Sequence, residues 1–151
     1  LCNKINGSDM KRKMYETEEH LKNERAVANI IERSWKCKLK KLSYKLMVDF
    51  AICQDDVIKG WIEVKCRKIS YSTSPDYMIS MHKINFARQL SRETELPFFL
   101  VIQFNDCLCY WKDDGQKIPL RWGGITKKYI RDAQDREPCY YIPIGSFTRI
   151  S

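Results

Sequence analysis

Three charged residues stand where apolar ones are expected. The stretch "LMVDFAICQDDVIKGWIEVKCR", residues 46–67, reads as a β-hairpin, yet Asp49, Glu63 and Lys65 sit among Leu, Val, Phe, Ile and Trp. Strand side chains alternate faces, so Glu63 and Lys65 share one face and Val64 takes the other. A turn centred on Asp56 sets Asp49 against Glu63, and opposed residues have Cβ atoms about 4.5–5.5 Å apart. Two carboxylates that close repel unless a proton or a cation lies between them. Three arrangements answer to this pattern: a solvent-facing ladder of charges, a buried salt bridge from Lys65 to one carboxylate, or a site for a divalent ion. Met47, Ala51 and Trp61 lie on the same face and argue for cover.

The surrounding elements must position these groups. Residues 16–35 carry Leu21, Ala28, Ile31 and Trp35 at helical spacing, widened by Val27 and Ile30, and Glu24 falls on that apolar face. Strand-like runs follow in "CKLKKLSYK", "LMVDFAIC" and "KGWIEVKC", the last two joined through "QDDVIKG". The loop "ISYSTSPD" leads into a predicted helix of about eighteen residues from Asp76, its stripe Ile79, Phe86 and Leu90 with Ala87 beside it. Pro97 marks its end. "FFLVIQF" is apolar throughout, as a strand covered on both faces must be, and Asn105-Asp106 turns it into "CLCYW". Beyond "KDDGQK" the spacing predicts an irregular tail and a last short strand, "CYYIPI", with Pro143 at a sheet edge. The order αβββαββ predicts an α/β (α+β) fold with helices on both faces of a mixed sheet.

An acidic residue in one strand, Glu-x-Lys in the next, an acidic helix before them and a helix and strand after resemble the PD-(D/E)XK nuclease superfamily. The matching pieces are Glu24, Asp49 in "VDF", and Glu63-Val64-Lys65. The element order over residues 16–104 is similar to that family's αβββαβ, restriction-endonuclease-like core. Val48 stands where the name-giving proline would be, and the tail "RDAQDREPCYYIPI" is similar to that of small phage-type members. The resemblance implies Mg²⁺- or Mn²⁺-dependent hydrolysis of phosphodiesters in DNA. Asp49, Glu63 and the Val64 carbonyl would hold the ion, Lys65 would orient water or stabilise phosphate charge, and Glu24 would reach the site from the helix. A silent nucleic-acid-binding module of the same fold and an RNA-directed nuclease are the alternatives. Double-strand cleavage would call for a homodimer.

Other candidates are secondary. Gln103 ends a buried strand, and His82 and Lys83 lie in the helix after the Glu-x-Lys strand. Arg67 and Lys68 follow that strand directly, where phosphate contacts would be sequence-blind. Trp122 and Tyr129 interleave with Arg121, Lys127 and Lys128, which suits stacking on unpaired bases, although core packing is the favoured expectation for Trp122. The net charge of +8 favours a polyanionic partner. Seven scattered cysteines without a CxxC pair point to reduced thiols in a cytoplasmic protein, not to structural zinc, and the family resemblance implies a bacterial or phage-infected host cell. No apolar run is long enough for a membrane helix, and the polar N-terminus lacks a signal-peptide pattern. Residues 1–13 are read as an extension or tag remnant and 14–151 as a single domain.

Overall fold

The computed structural model describes residues 17–124 and 136–151. Helix α1 (Glu18–Trp35) begins where the Thr17 side chain accepts the His20 N–H, and Glu18 and Glu19 complement its positive end. It ends at Lys36 in the left-handed region, φ 53°. Its buried face is Val27, Ala28 and Ile31, confined to the C-terminal half. Leu21, expected in the stripe, is exposed.

Strands β1 (Lys38–Lys41), β2 (Phe50–Gln54) and β3 (Val57–Cys66) form an antiparallel meander. The β2–β3 turn is only Asp55 and Asp56, both at positive φ (50° and 61°), as a two-residue primed turn requires. A symmetric two-residue turn would pair residue 50 with 61. The observed pairing is Phe50 with Ile62, because β3 inserts an extra residue, Lys59, between partners Ile58 and Gly60. The bulge therefore restores the offset that a turn centred on Asp56 would create.

Parallel to β3 lies β5 (Phe98–Gln103), followed antiparallel by β6 (Leu108–Lys112) and the short edge strand β9 (Thr148–Arg149). The six-stranded sheet runs β1-β2-β3-β5-β6-β9, mixed as expected. Its two faces support separate cores. Val27, Ala28 and Ile31 of α1 pack on Phe50, Ile52, Ile62, Val64 and Val101. On the opposite face, Ile84 and Ala87 of α2 (Met81–Thr94) join Ala51, Trp61, Leu100 and Ile102.

The predicted helix from Asp76 is too long. Residues Asp76–Ser80 form strand β4, in which Tyr77 and Ile79 are buried and Met78 is exposed, a two-residue period. Its partner is β8 (Arg136–Pro143), about sixty residues away, so no local signal could reveal the pairing. Strand β7 (Leu120–Gly124) completes a second sheet, β4-β8-β7. Leu120–Gly124 and Arg136–Pro143 are thus both strands, and "CYYIP" belongs to a longer, central strand with Pro143 as its last residue. Tyr77, Ile79 and Ile142 share a core with the large sheet. Among the described residues no helix is long and apolar enough to cross a membrane. Residues 1–13 lie outside the described residues.

Because Asp55 and Asp56 occupy a conformation that glycine and asparagine adopt more readily, replacing the pair by Asn-Gly should raise stability by about 1 kcal/mol. The solvated Lys40–Asp56 ion pair counts for little against this. Urea unfolding checks it, and an unchanged or lower midpoint would contradict the turn assignment.

Candidate active site

Glu63 and Lys65 point to the α2 side of the sheet, with Trp61, while Ile62 and Val64 point to α1. Glu63 is only 1% exposed. A solvent-facing ladder is therefore excluded. Lys65 Nζ lies 2.7 Å and Lys83 Nζ 3.1 Å from Glu63 Oε1. Neither amine is aligned for a hydrogen bond, and among the described residues buried Oε2 has no hydrogen-bond partner. A buried carboxylate oxygen left without a donor is costly, so this atom is an open acceptor on a residue that lines the cavity.

Asp49 sits one residue before β2 and is held by backbone contacts. Its N–H donates to Ile62 O (2.9 Å) and its carbonyl accepts from Leu42 N–H (2.9 Å). Its Oδ2 accepts from Val64 N–H at 2.7 Å. The regular ladder stops at Phe50–Ile62, so Asp49 is tucked against the β3 edge and does not form a further paired rung opposite Glu63. A strand residue directs its N–H and C=O to the same edge, so the Val64 carbonyl also lies on the Asp49 side, beyond the last β2 pair. Glu24 enters from α1: Lys41 Nζ is 2.6 Å from Glu24 Oε2 and 3.5 Å from Asp49 Oδ1.

These groups line one cavity of about 730 Å³, together with Tyr44, Met47, Cys66 and Arg67. Burial raises the Asp49 pKa to about 6, reinforced by the negative charges of Glu63 and Glu24 and only partly offset by the Val64 N–H. Burial also acts to raise Glu63, but Lys65 and Lys83 outweigh it and hold that carboxyl below its ordinary value. For Lys65 burial acts to lower the pKa, and Glu63 with Asp49 reverses the effect, so the amine stays protonated.

The remaining candidates separate. Lys83 lines the cavity, its amine beside Glu63 and donating to the Met47 carbonyl at 3.2 Å, so it is a counter-charge to that acid. Arg67 lies at the rim, its guanidinium 5.7 Å from the Tyr77 ring centroid. Lys68 and His82 are exposed and do not line the cavity. Gln103 does not join it either: its amide donates to the carbonyls of Phe104 and Cys107 at 2.7 and 3.2 Å, which closes the β5–β6 turn. Trp122 is 63% exposed and so not a core residue. Lys127, Lys128 and Tyr129 lie outside the described residues. The residue that sequence reasoning missed is Lys41. It lies in the strand-like run "CKLKKLSYK" with nothing local to mark it, and only the antiparallel pairing of β1 with β2 brings it to the acids.

Among the described residues, no three His, Cys, Asp or Glu side chains group closely enough to hold a metal ion on their own. The residues present nonetheless suit a hard cation that keeps its waters, since Mg²⁺ typically takes one or two carboxylates plus substrate oxygens. Glu63 Oε2 is unpartnered, Asp49 would be relieved of its raised pKa by a neighbouring positive charge, and the Val64 carbonyl lies on the Asp49 side of β3.

A family profile described as "Phage putative PDDEXK endonuclease" matches residues 10–150. Among solved structures, one similar fold is Hjc, a Holliday junction resolvase from Archaeoglobus fulgidus. The two share 11% identity with a TM-score of 0.49, over 81% of this chain and 94% of that one. No curated protein matches the sequence.

The Asp49 shift has a thermodynamic consequence without added cation. A folded-state pKa near 6 against an ordinary 3.8 means that the native protein holds this proton more tightly. The Asp49 contribution to stability should therefore fall as pH rises from about 4 to 6, by up to about 3 kcal/mol, and then level off. Urea unfolding across that range in EDTA isolates the effect as a difference: the stability of wild type relative to Asp49→Asn should decline as pH rises.

Proposed function

This chain belongs to the phage PD-(D/E)XK endonuclease family, and we propose that its cavity hydrolyses DNA phosphodiesters with the help of a divalent ion. The observation that carries the reading is the buried, unpartnered Oε2 of Glu63 beside Asp49. Asp49, Glu63 and the Val64 carbonyl would hold Mg²⁺ or Mn²⁺. When bound, such an ion lowers the pKa of a coordinated water and polarises the phosphate.

The chain's own residues do the rest. Lys65 stays protonated, so it is a donor and a positive charge, not the base that removes a proton from water. Its ammonium can face the phosphate oxygens on which charge accumulates, a contribution of the oxyanion-stabilising kind. Lys83 keeps Glu63 ionised and ties α2 to the turn that carries Asp49. Glu24 shares Lys41 with Asp49 and so belongs to the same electrostatic unit. Arg67 at the rim and Lys68 outside it would meet the flanking backbone of the nucleic acid, supported by the overall basic charge. Cutting both strands of a duplex would take two such sites, hence a homodimer.

Supercoiled DNA, single-stranded DNA and RNA incubated with Mg²⁺, Mn²⁺ or EDTA give the direct test. Cleavage of DNA should need the ion, and Asp49→Asn and Lys65→Ala should each lower the rate by about 100-fold or more. Salt-sensitive binding without cutting would instead favour a silent module, and cutting of RNA alone an RNA-directed enzyme. Separately, Arg67→Ala should reduce the slope of log affinity against log salt by about 0.9, read from binding isotherms at several salt concentrations. A slope unchanged by this substitution would remove Arg67 from the phosphate contacts.

A further inference from the structure

Lys41 ends β1 and reaches across to two acids on different elements. Its ammonium lies 2.6 Å from Glu24 on α1 and 3.5 Å from Asp49 before β2. It is also 5.2 Å from the Phe50 ring centroid, so its position is held from a third direction. Both carboxylate side chains are only 16% exposed. On the other side of Asp49 stands Glu63, its Oε2 buried and without a partner. Asp49 therefore borders two unlike positions. One offers an unfilled acceptor, and the other already contains a positive charge between two carboxylates.

We propose that Lys41 occupies the place of a second divalent cation and thereby limits this site to one ion, bound on the Asp49–Glu63 side. The inference deepens the function proposed above and rests on it. Two-metal nuclease sites need carboxylates for both ions, with the ions about 4 Å apart. Here the oxygens nearest that position, Glu24 Oε2 and Asp49 Oδ1, already face an ammonium. Two like charges within that range repel strongly in a partly buried setting.

The local charge balance points the same way. Inside the rim, where Arg67 stands, Glu24, Asp49 and Glu63 supply three negative charges against three positive ones on Lys41, Lys65 and Lys83. A single divalent ion leaves an excess of two positive charges, suited to the phosphates on either side of a scissile bond. A second ion alongside Lys41 would double that excess with no further acid to hold it. Removal of the Lys41 charge leaves one carboxylate uncompensated, which is the condition for a second cation to bind.

The test counts bound Mn²⁺ on the full-length chain at neutral pH, by electron paramagnetic resonance of the free ion and by calorimetry. Wild type should take about one ion per chain and Lys41→Met about two, while Lys41→Arg, which keeps the charge, should stay at one. Lys41→Gln repeats the measurement if the Met variant does not fold, as judged by circular dichroism and thermal melting. A folded Lys41→Met that binds one ion with unchanged affinity overturns the inference and leaves the proposed function standing. A folded variant that loses Mn²⁺ also overturns it, since Lys41 would then support the first ion. Failure of wild type to bind Mn²⁺ at all would remove the metal-dependent reading, and this inference with it.

Discussion

A carboxylate taken out of water must be compensated where it stands, and Glu63 imposes that constraint on everything around it. At 1% exposure it lies in the middle of a sheet whose neighbouring side chains are Trp61 and the apolar residues of β5. Uncompensated burial of such a charge costs several kcal/mol. Two amines supply the compensation, one two residues along its own strand and one from the helix that crosses the sheet. Both act on a single oxygen. The other is left open, which is a poor arrangement for stability alone and a good one for holding a cation.

The supporting structure follows from keeping that arrangement in register. A one-residue slip in the hairpin would exchange the faces of Glu63 and Val64. The two-residue turn and the Lys59 bulge together set the offset that brings the end of β2 to the Asp49–Val64 contact. Parallel pairing of β3 with β5 then requires a long crossover, and that crossover contains α2 and Lys83. Strand β4, inserted ahead of α2, shortens the helix and joins it to a second sheet. The same segment that closes the topology therefore also delivers a counter-charge to the acid.

Several features were legible because they are local. The alternation in "GWIEVKC" placed Glu63 and Lys65 on one face, and the apolar face of α1 was visible near Val27, Ala28 and Ile31. Glu24 drew notice as a charge on an apolar stripe, and it does line the cavity. Other features were not legible. Asp76–Ser80 has no strong helical or strand signal of its own, and its conformation is decided by β8. Gln103 ends a buried strand and so resembled a site residue, yet its amide found partners in the adjacent turn. His82 and Lys83 are neighbours in sequence, and helical geometry sends only Lys83 toward Glu63.

By itself the sequence determined the mixed α/β class, the hairpin and the placing of Glu63 and Lys65 on one face, because periodicity and turn chemistry act over a few residues. Tertiary structure decided which oxygens remain open and which amines fill the others. Lys41 and Lys83 meet the acids through strand pairing and helix crossing, contacts between residues far apart in the chain. Long-range geometry of that kind leaves no local pattern, so it could be read only from the folded molecule.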